Sequence, residues 1–129
     1  MLEDNSSNSF IYELNNKVQS MPWPVIMPIS FAKLLKEKKN IAIIDVREET
    51  DCCFEDRLLS SKDIYNVPFN SIVNKIGDLD LSSYDMLITI CFAGPKGAVA
   101  ASIMRWMGYD NVFFLKGGVE EYVQLENSY

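Results

Sequence analysis

Three short apolar runs constrain this chain more than any other feature: IAIIDV at 41–46, MLITIC at 86–91 and NVFFL at 111–115. Each is rich in β-branched or aromatic residues, and none alternates between apolar and polar. A strand with one solvated face alternates; a strand buried on both faces does not. Such strands belong to a parallel sheet, which needs a crossover between neighbours. Helical patterns lie between the runs, so the expected class is α/β, a small parallel sheet covered by helices on both faces. At 129 residues and 48% hydrophobic content, the chain suits one core.

The remaining elements follow from local signals. Residues 1–8 are polar and read as unstructured. Phe10, Ile11, Leu14 and Val18 place a helix over 9–20. Pro22, Pro24 and Pro28 punctuate an extended stretch with room for a short edge strand at Val25 and Ile26. Ser30 reads as the N-cap of a helix over 31–38 with three lysines at its C-terminal end. The acid-rich run 48–57 reads as a short helix, and 64–68 as another extended piece. A helix begins at Asn70 or Ser71 and stops at Gly77. Gly94–Gly97 form a tight loop, a mostly buried helix covers 98–107, and Gly117–Gly118 turn into a last helix over 119–125. The division is an N-terminal extension, 1–22, and a domain, 23–129.

Charge and residue type exclude several functions. The formal charge is −6, which disfavours nucleic acid and repels small anions at long range. There is no histidine, so Cys–His mechanisms are excluded and the commonest metal ligand is missing. The three cysteines, Cys52, Cys53 and Cys91, lack the CxxC spacing of a zinc site. No metal or other cofactor is expected. The N-terminus carries no apolar secretory segment, and no run is long enough to span a membrane. The expected setting is therefore cytoplasmic, with free thiols and no membrane partner. Of the adjacent Cys52 and Cys53, one is expected to face the core and the other not. A resolving role toward Cys91 requires the 48–57 helix to lie over the 91–97 loop.

In open α/β sheets, ligands bind beyond the carboxyl ends of the strands. Cys91 ends the strand MLITIC and is followed by a glycine-containing loop and a helix. A cysteine there is ordinarily packing. The strand–Cys–loop–helix setting gives a nucleophile equal standing, because amides and a helix N-terminus favour a thiolate without an imidazole. Gly94 and Gly97 permit a cradle of successive amides, and Lys96 adds a cation. Arg47, after the strand IAIIDV, is either a structural partner for a carboxylate or a substrate contact.

Three blocks, in order, carry a family resemblance: IAIIDVRE at 41–48, CFAGPKG at 91–97 and MGYDNVFFLKGGVEEY at 107–122. From Ile29 to Tyr122 the chain resembles the rhodanese (thiosulfate sulfurtransferase) family. The resemblance implies a rhodanese-like α/β fold and a persulfide carried on Cys91. Phe92, Ala93, Gly94, Pro95, Lys96 and Gly97 would hold the transferred sulfur, with Arg47 as a further substrate-binding residue. The implied partners are a small sulfur donor of thiosulfate or persulfide type and a thiol or cyanide-like acceptor, or a protein acceptor. The chain departs from the family in its segment LSSKDIYNVP at 59–68, which keeps only Asn66 and Pro68. Lys96 stands where the family's loop has Arg, and Gly97 where it has a hydroxyl residue. These departures argue against efficient use of thiosulfate. They also leave an alternative, a catalytically silent rhodanese-like binding or regulatory module. A cysteine phosphatase of this fold would need an Arg where this chain has Ala98.

Overall fold

Strand formation follows the apolar runs. The structure, a computed structural model, describes residues 5–20, 23–37, 40–52 and 63–127. Its strands are β1 (Val25–Ile26), β2 (Ile41–Asp45), β3 (Asp63–Asn66), β4 (Met86–Ile90) and β5 (Val112–Leu115). They form one sheet in the order β1-β5-β4-β2-β3, and every pairing is parallel. β2 and β4 lie together in the interior of the sheet, in register from Ile41↔Met86 to Asp45↔Ile90.

The described helices are α1 (Asn5–Ser20), α2 (Pro28–Lys36), α3 (Ile72–Asp78), α4 (Pro95–Trp106) and α5 (Gly118–Asn127). The pleat sorts strand residues onto two cores. Ala42, Ile44, Leu87, Val112 and Phe114 pack with Ile72 and Ile76 of α3 and Ala100, Ala101 and Met104 of α4. Ile41, Ile43, Ile88 and Leu115 pack with Phe31 of α2 and Val119 and Tyr122 of α5. The Phe31 and Tyr122 rings meet edge to face at 5.0 Å, a favoured aromatic geometry. The sheet is thus covered on both faces, as its unalternating strands require. Among the described residues, no helix is long and apolar enough to cross a membrane.

Several boundaries differ from those read in the sequence. α1 begins at Asn5, inside the stretch expected to be unstructured, and exposes Phe10, Ile11, Tyr12 and Val18. α2 starts at Pro28 with Met27 as its N-cap and no side-chain cap, so Ser30 lies inside the helix. Proline suits the first helical position because it has no N–H to leave unpaired. Lys38 and Lys39 lie outside the described residues. Residues 49–51 form a turn rather than a helix, with Asp51 N–H donating to the Glu48 carbonyl at 2.9 Å. The remainder of the 48–57 reading lies outside the described residues.

Gly77 does not end α3; it sits inside a helix that runs to Asp78. Its Cβ position is open, with nothing within 4 Å. Gly77→Ala is therefore expected to stabilise the fold by about 0.5–1 kcal/mol, the difference in helix propensity. A rise in the urea midpoint at constant m-value would show it.

Candidate active site

Adjacent parallel strands end side by side, so the segment after β2 meets the segment after β4. Val46 N–H donates to the Ile90 carbonyl at 2.9 Å, extending the ladder one residue past the end of β2. Arg47 and Cys91 come next in their chains, and both line one cavity.

The carboxylate of Asp45 turns back to hold Arg47. Its oxygens accept from Nε at 3.0 Å and from Nη2 at 2.7 Å, and Oδ1 also accepts the Arg47 backbone N–H at 3.0 Å. Asp45 is 0% exposed and Arg47 7%, so this is a paired, buried, bidentate interaction. Asn66 donates to the backbone carbonyls of Asp45 and Arg47 at 3.0 and 2.9 Å. The residue retained in the otherwise altered 59–68 segment thus fixes the turn that carries Arg47.

The 91–97 segment divides differently from the expected loop. α4 begins at Pro95 with Gly94 as N-cap, so Pro95, Lys96 and Gly97 belong to the first helical turn. Gly94 has φ +119°, which β-carbon sterics deny to other residues. In that conformation its N–H donates to Cys91 Sγ at 2.9 Å. Gly97 is buried, its α-carbon side facing the backbone of Thr89, Ile90 and Cys91. The Thr89 hydroxyl donates to the Gly97 carbonyl at 2.6 Å. Gly97 therefore seats the helix on β4 and does not line the cavity.

A second helix supports the loop from the other side. Val119 N–H donates to the Cys91 carbonyl and Glu120 N–H to the Phe92 carbonyl, each at 2.9 Å. These first-turn amides of α5 have no partner within their own helix. Gly118, at φ +65°, brings them close: a Cβ there would sit in hard contact with both carbonyl oxygens. This buttress was not read from the sequence; the Gly117–Gly118 pair was its signal, taken only as a turn.

The resulting cavity has a volume of about 610 Å³ and is lined by Arg47, Glu48, Asp51, Cys91, Phe92, Ala93, Pro95 and Lys96. Cys91 lies at its base, 5% exposed, while Phe92 stands at the mouth, 60% exposed. Of the residues named from sequence, Arg47, Cys91, Phe92, Ala93, Pro95 and Lys96 face the cavity. Gly94 reaches the sulfur through its amide, and Gly97 lies behind. Glu48 and Asp51 were missed as lining residues. Their signal was position, since both come after the carboxyl end of β2, where ligands of such sheets bind.

The expectation of free thiols is corrected in part. Cys91 is free, whereas Cys52 is disulfide-bonded. Cys52 is therefore not available, in this state, as a resolving thiol for Cys91. Cys53 lies outside the described residues.

Comparison with known proteins now decides the lineage. The model of the rhodanese-like domain matches residues 28–125. The chain belongs to the rhodanese-like family. Solved rhodanese structures share its fold. A rhodanese-related protein of Thermoplasma volcanium superposes with a TM-score of 0.60 at 19% identity, covering 80% of this chain and 93% of that one. A rhodanese homolog of Thermus thermophilus gives 0.53 at 23% identity, covering 74% and 97%. An NAD-dependent persulfide reductase of A. fulgidus gives 0.56 at 19% identity, covering 84% of this chain but 17% of that protein. No curated protein matches in sequence. In the rhodanese-like domain described here, the three sequence blocks map to the ends of β2 and β4 and to the β5–α5 buttress.

Proposed function

We propose that this rhodanese-like protein is a sulfurtransferase that carries sulfane sulfur as a persulfide on Cys91. It would take that sulfur from a thiosulfate- or persulfide-type donor and pass it to a nucleophilic acceptor, a small thiol, cyanide or a protein thiol. The observation that carries this reading is the amide of Gly94 donating to a free cysteine sulfur at the base of an open cavity. The thiolate is the nucleophilic form of a cysteine, and this N–H can hydrogen-bond the sulfur that would attack.

In the loading step the Cys91 thiolate attacks the outer sulfur of the donor. A new S–S bond forms to Cys91, the donor's own bond to that sulfur breaks, and the remainder of the donor leaves with the electron pair. In the delivery step the acceptor attacks the outer sulfur of the Cys91 persulfide and the thiolate is restored. Neither step needs an external oxidant or reductant.

Intact-mass measurement after incubation with thiosulfate, cysteine persulfide and mercaptopyruvate tests the proposal. The expected result is one added sulfur atom, localised to Cys91 and lost in Cys91→Ser. A protein left unmodified by all three donors, or modified equally in Cys91→Ser, would overturn it. Localisation to the cytoplasm is part of the same proposal.

A further inference from the structure

The cavity that Cys91 lines carries charges of both signs. Glu48 and Asp51 come from the turn after β2, and Lys96 from the first turn of α4. Arg47 adds no net charge, because its guanidinium is held by the Asp45 carboxylate at 2.7 Å. Among the described lining residues, two carboxylates therefore face one cation that is not committed to Asp45. The molecule as a whole is also negative, at −6. A dianion such as thiosulfate would enter against both the local and the overall field. An ammonium group would be drawn to Glu48 and Asp51. Phe92, Ala93 and Pro95 add apolar lining, which suits a short carbon chain.

We propose that the donor accepted by this cavity is an amine-bearing persulfide, R–S–SH with an ammonium on R. Glu48 and Asp51 select the ammonium, and Lys96 takes a carboxylate where R carries one. The inference rests on the persulfide reading above and names its substrate class. The thiolate of Cys91 attacks the outer sulfur of R–S–SH. The S–S bond of the donor breaks, R–S⁻ departs with the electron pair, and Cys91–S–SH retains the proton on its outer sulfur.

Two measurements separate this inference from the activity itself. The first is the rate at which Cys91 reacts with a cationic (trimethylammonium-ethyl) and an anionic (sulfonatoethyl) methanethiosulfonate, each normalised to a free small thiol and assigned to Cys91 by peptide mass. This reads the field at the thiol and requires no sulfur transfer. The cationic reagent is expected to be favoured roughly tenfold at low salt. The preference should shrink as salt rises and fall several-fold in the double variant Glu48→Gln/Asp51→Asn. The second is the rate of Cys91 persulfide formation from cysteamine persulfide, cysteine persulfide and 3-mercaptopropionate persulfide. Loading should be fastest with the amine-bearing donors, and the double variant should lose that order while still being loaded by the anionic one. Equal normalised reagent rates, an anionic preference, or a preference unchanged in the double variant would overturn the inference. So would a thiol that neither reagent reaches. A protein that shows the cationic preference but is loaded by no persulfide overturns the sulfurtransferase reading, and this inference with it. A protein loaded without regard to charge overturns the inference alone.

Discussion

Gly118→Ala is expected to destabilise the fold by about 2–4 kcal/mol, summing a left-handed alanine with two weakened hydrogen bonds, and to slow Cys91 chemistry in the molecules that still fold. Gly118 holds φ +65°, and a Cβ there would lie 2.6 Å from the Phe92 carbonyl oxygen and closer still to that of Cys91. Both obstacles are backbone, so no rotamer change relieves them. The N-terminus of α5 must back away, and the bonds from Val119 and Glu120 to the two carbonyls lengthen. Those bonds set the orientation of the peptides on either side of Phe92. The same change should therefore alter reaction of the Cys91 thiol with a small alkylating reagent, measured at a urea concentration where the variant is still native. Gly77→Ala is the matched control, with the same added methyl and the opposite sign. A Gly118→Ala protein of wild-type stability and wild-type thiol reactivity would show that the buttress does not hold the loop.

Asp45→Ala should cost more, about 3–5 kcal/mol, the usual loss when one partner of a buried ion pair is removed. The Arg47 guanidinium would keep its charge but lose the bidentate acceptor at 2.7 and 3.0 Å. The backbone N–H of Arg47 would lose its bond to the same carboxylate. A replacement of both residues by apolar ones, Asp45→Leu with Arg47→Met, separates loss of the ion pair from lost packing. It is expected to recover most of the stability, because well-packed apolar pairs commonly match buried ion pairs. Denaturant titration of the three proteins reads both numbers. If Asp45→Ala fell within about 1 kcal/mol of wild type, the pair would not be what orders the turn after β2.

The sheet was legible because β2, β4 and β5 carry unalternating apolar runs, and only a strand covered on both faces has that pattern. β1 was legible from two residues set among prolines. Helix starts were harder. At Pro28 and Pro95 a proline that reads as a breaker is the first residue of the helix, since helix N-termini leave N–H groups unpaired in any case. The 49–51 turn read as helix because its acids suit a first helical turn equally well. Within the site, Cys91 and its neighbours were found from strand, loop and helix order. Glu48 and Asp51 were not, because which charges look into a cavity depends on how the turn after β2 is folded, and the turn was itself misread. The role of Gly118 was hidden for another reason: its partners, Cys91 and Phe92, are far away in sequence, and the contact is between backbones. The disulfide at Cys52 was also beyond reach, since the cysteine count and spacing pointed to reduced thiols.

The strand order has a consequence for how this protein is made. β5 separates β1 from β4, so during translation β1 has no neighbour until residues 112–115 have left the ribosome. Ile26 and Phe31 share their core with Leu115, Val119 and Tyr122, and until α5 is synthesised that part of the apolar surface stays open to water. Folding that waits on such distant pairings is slow and leaves a sticky intermediate. A nascent chain stalled before β5 should therefore be a client for chaperones or a seed for aggregation.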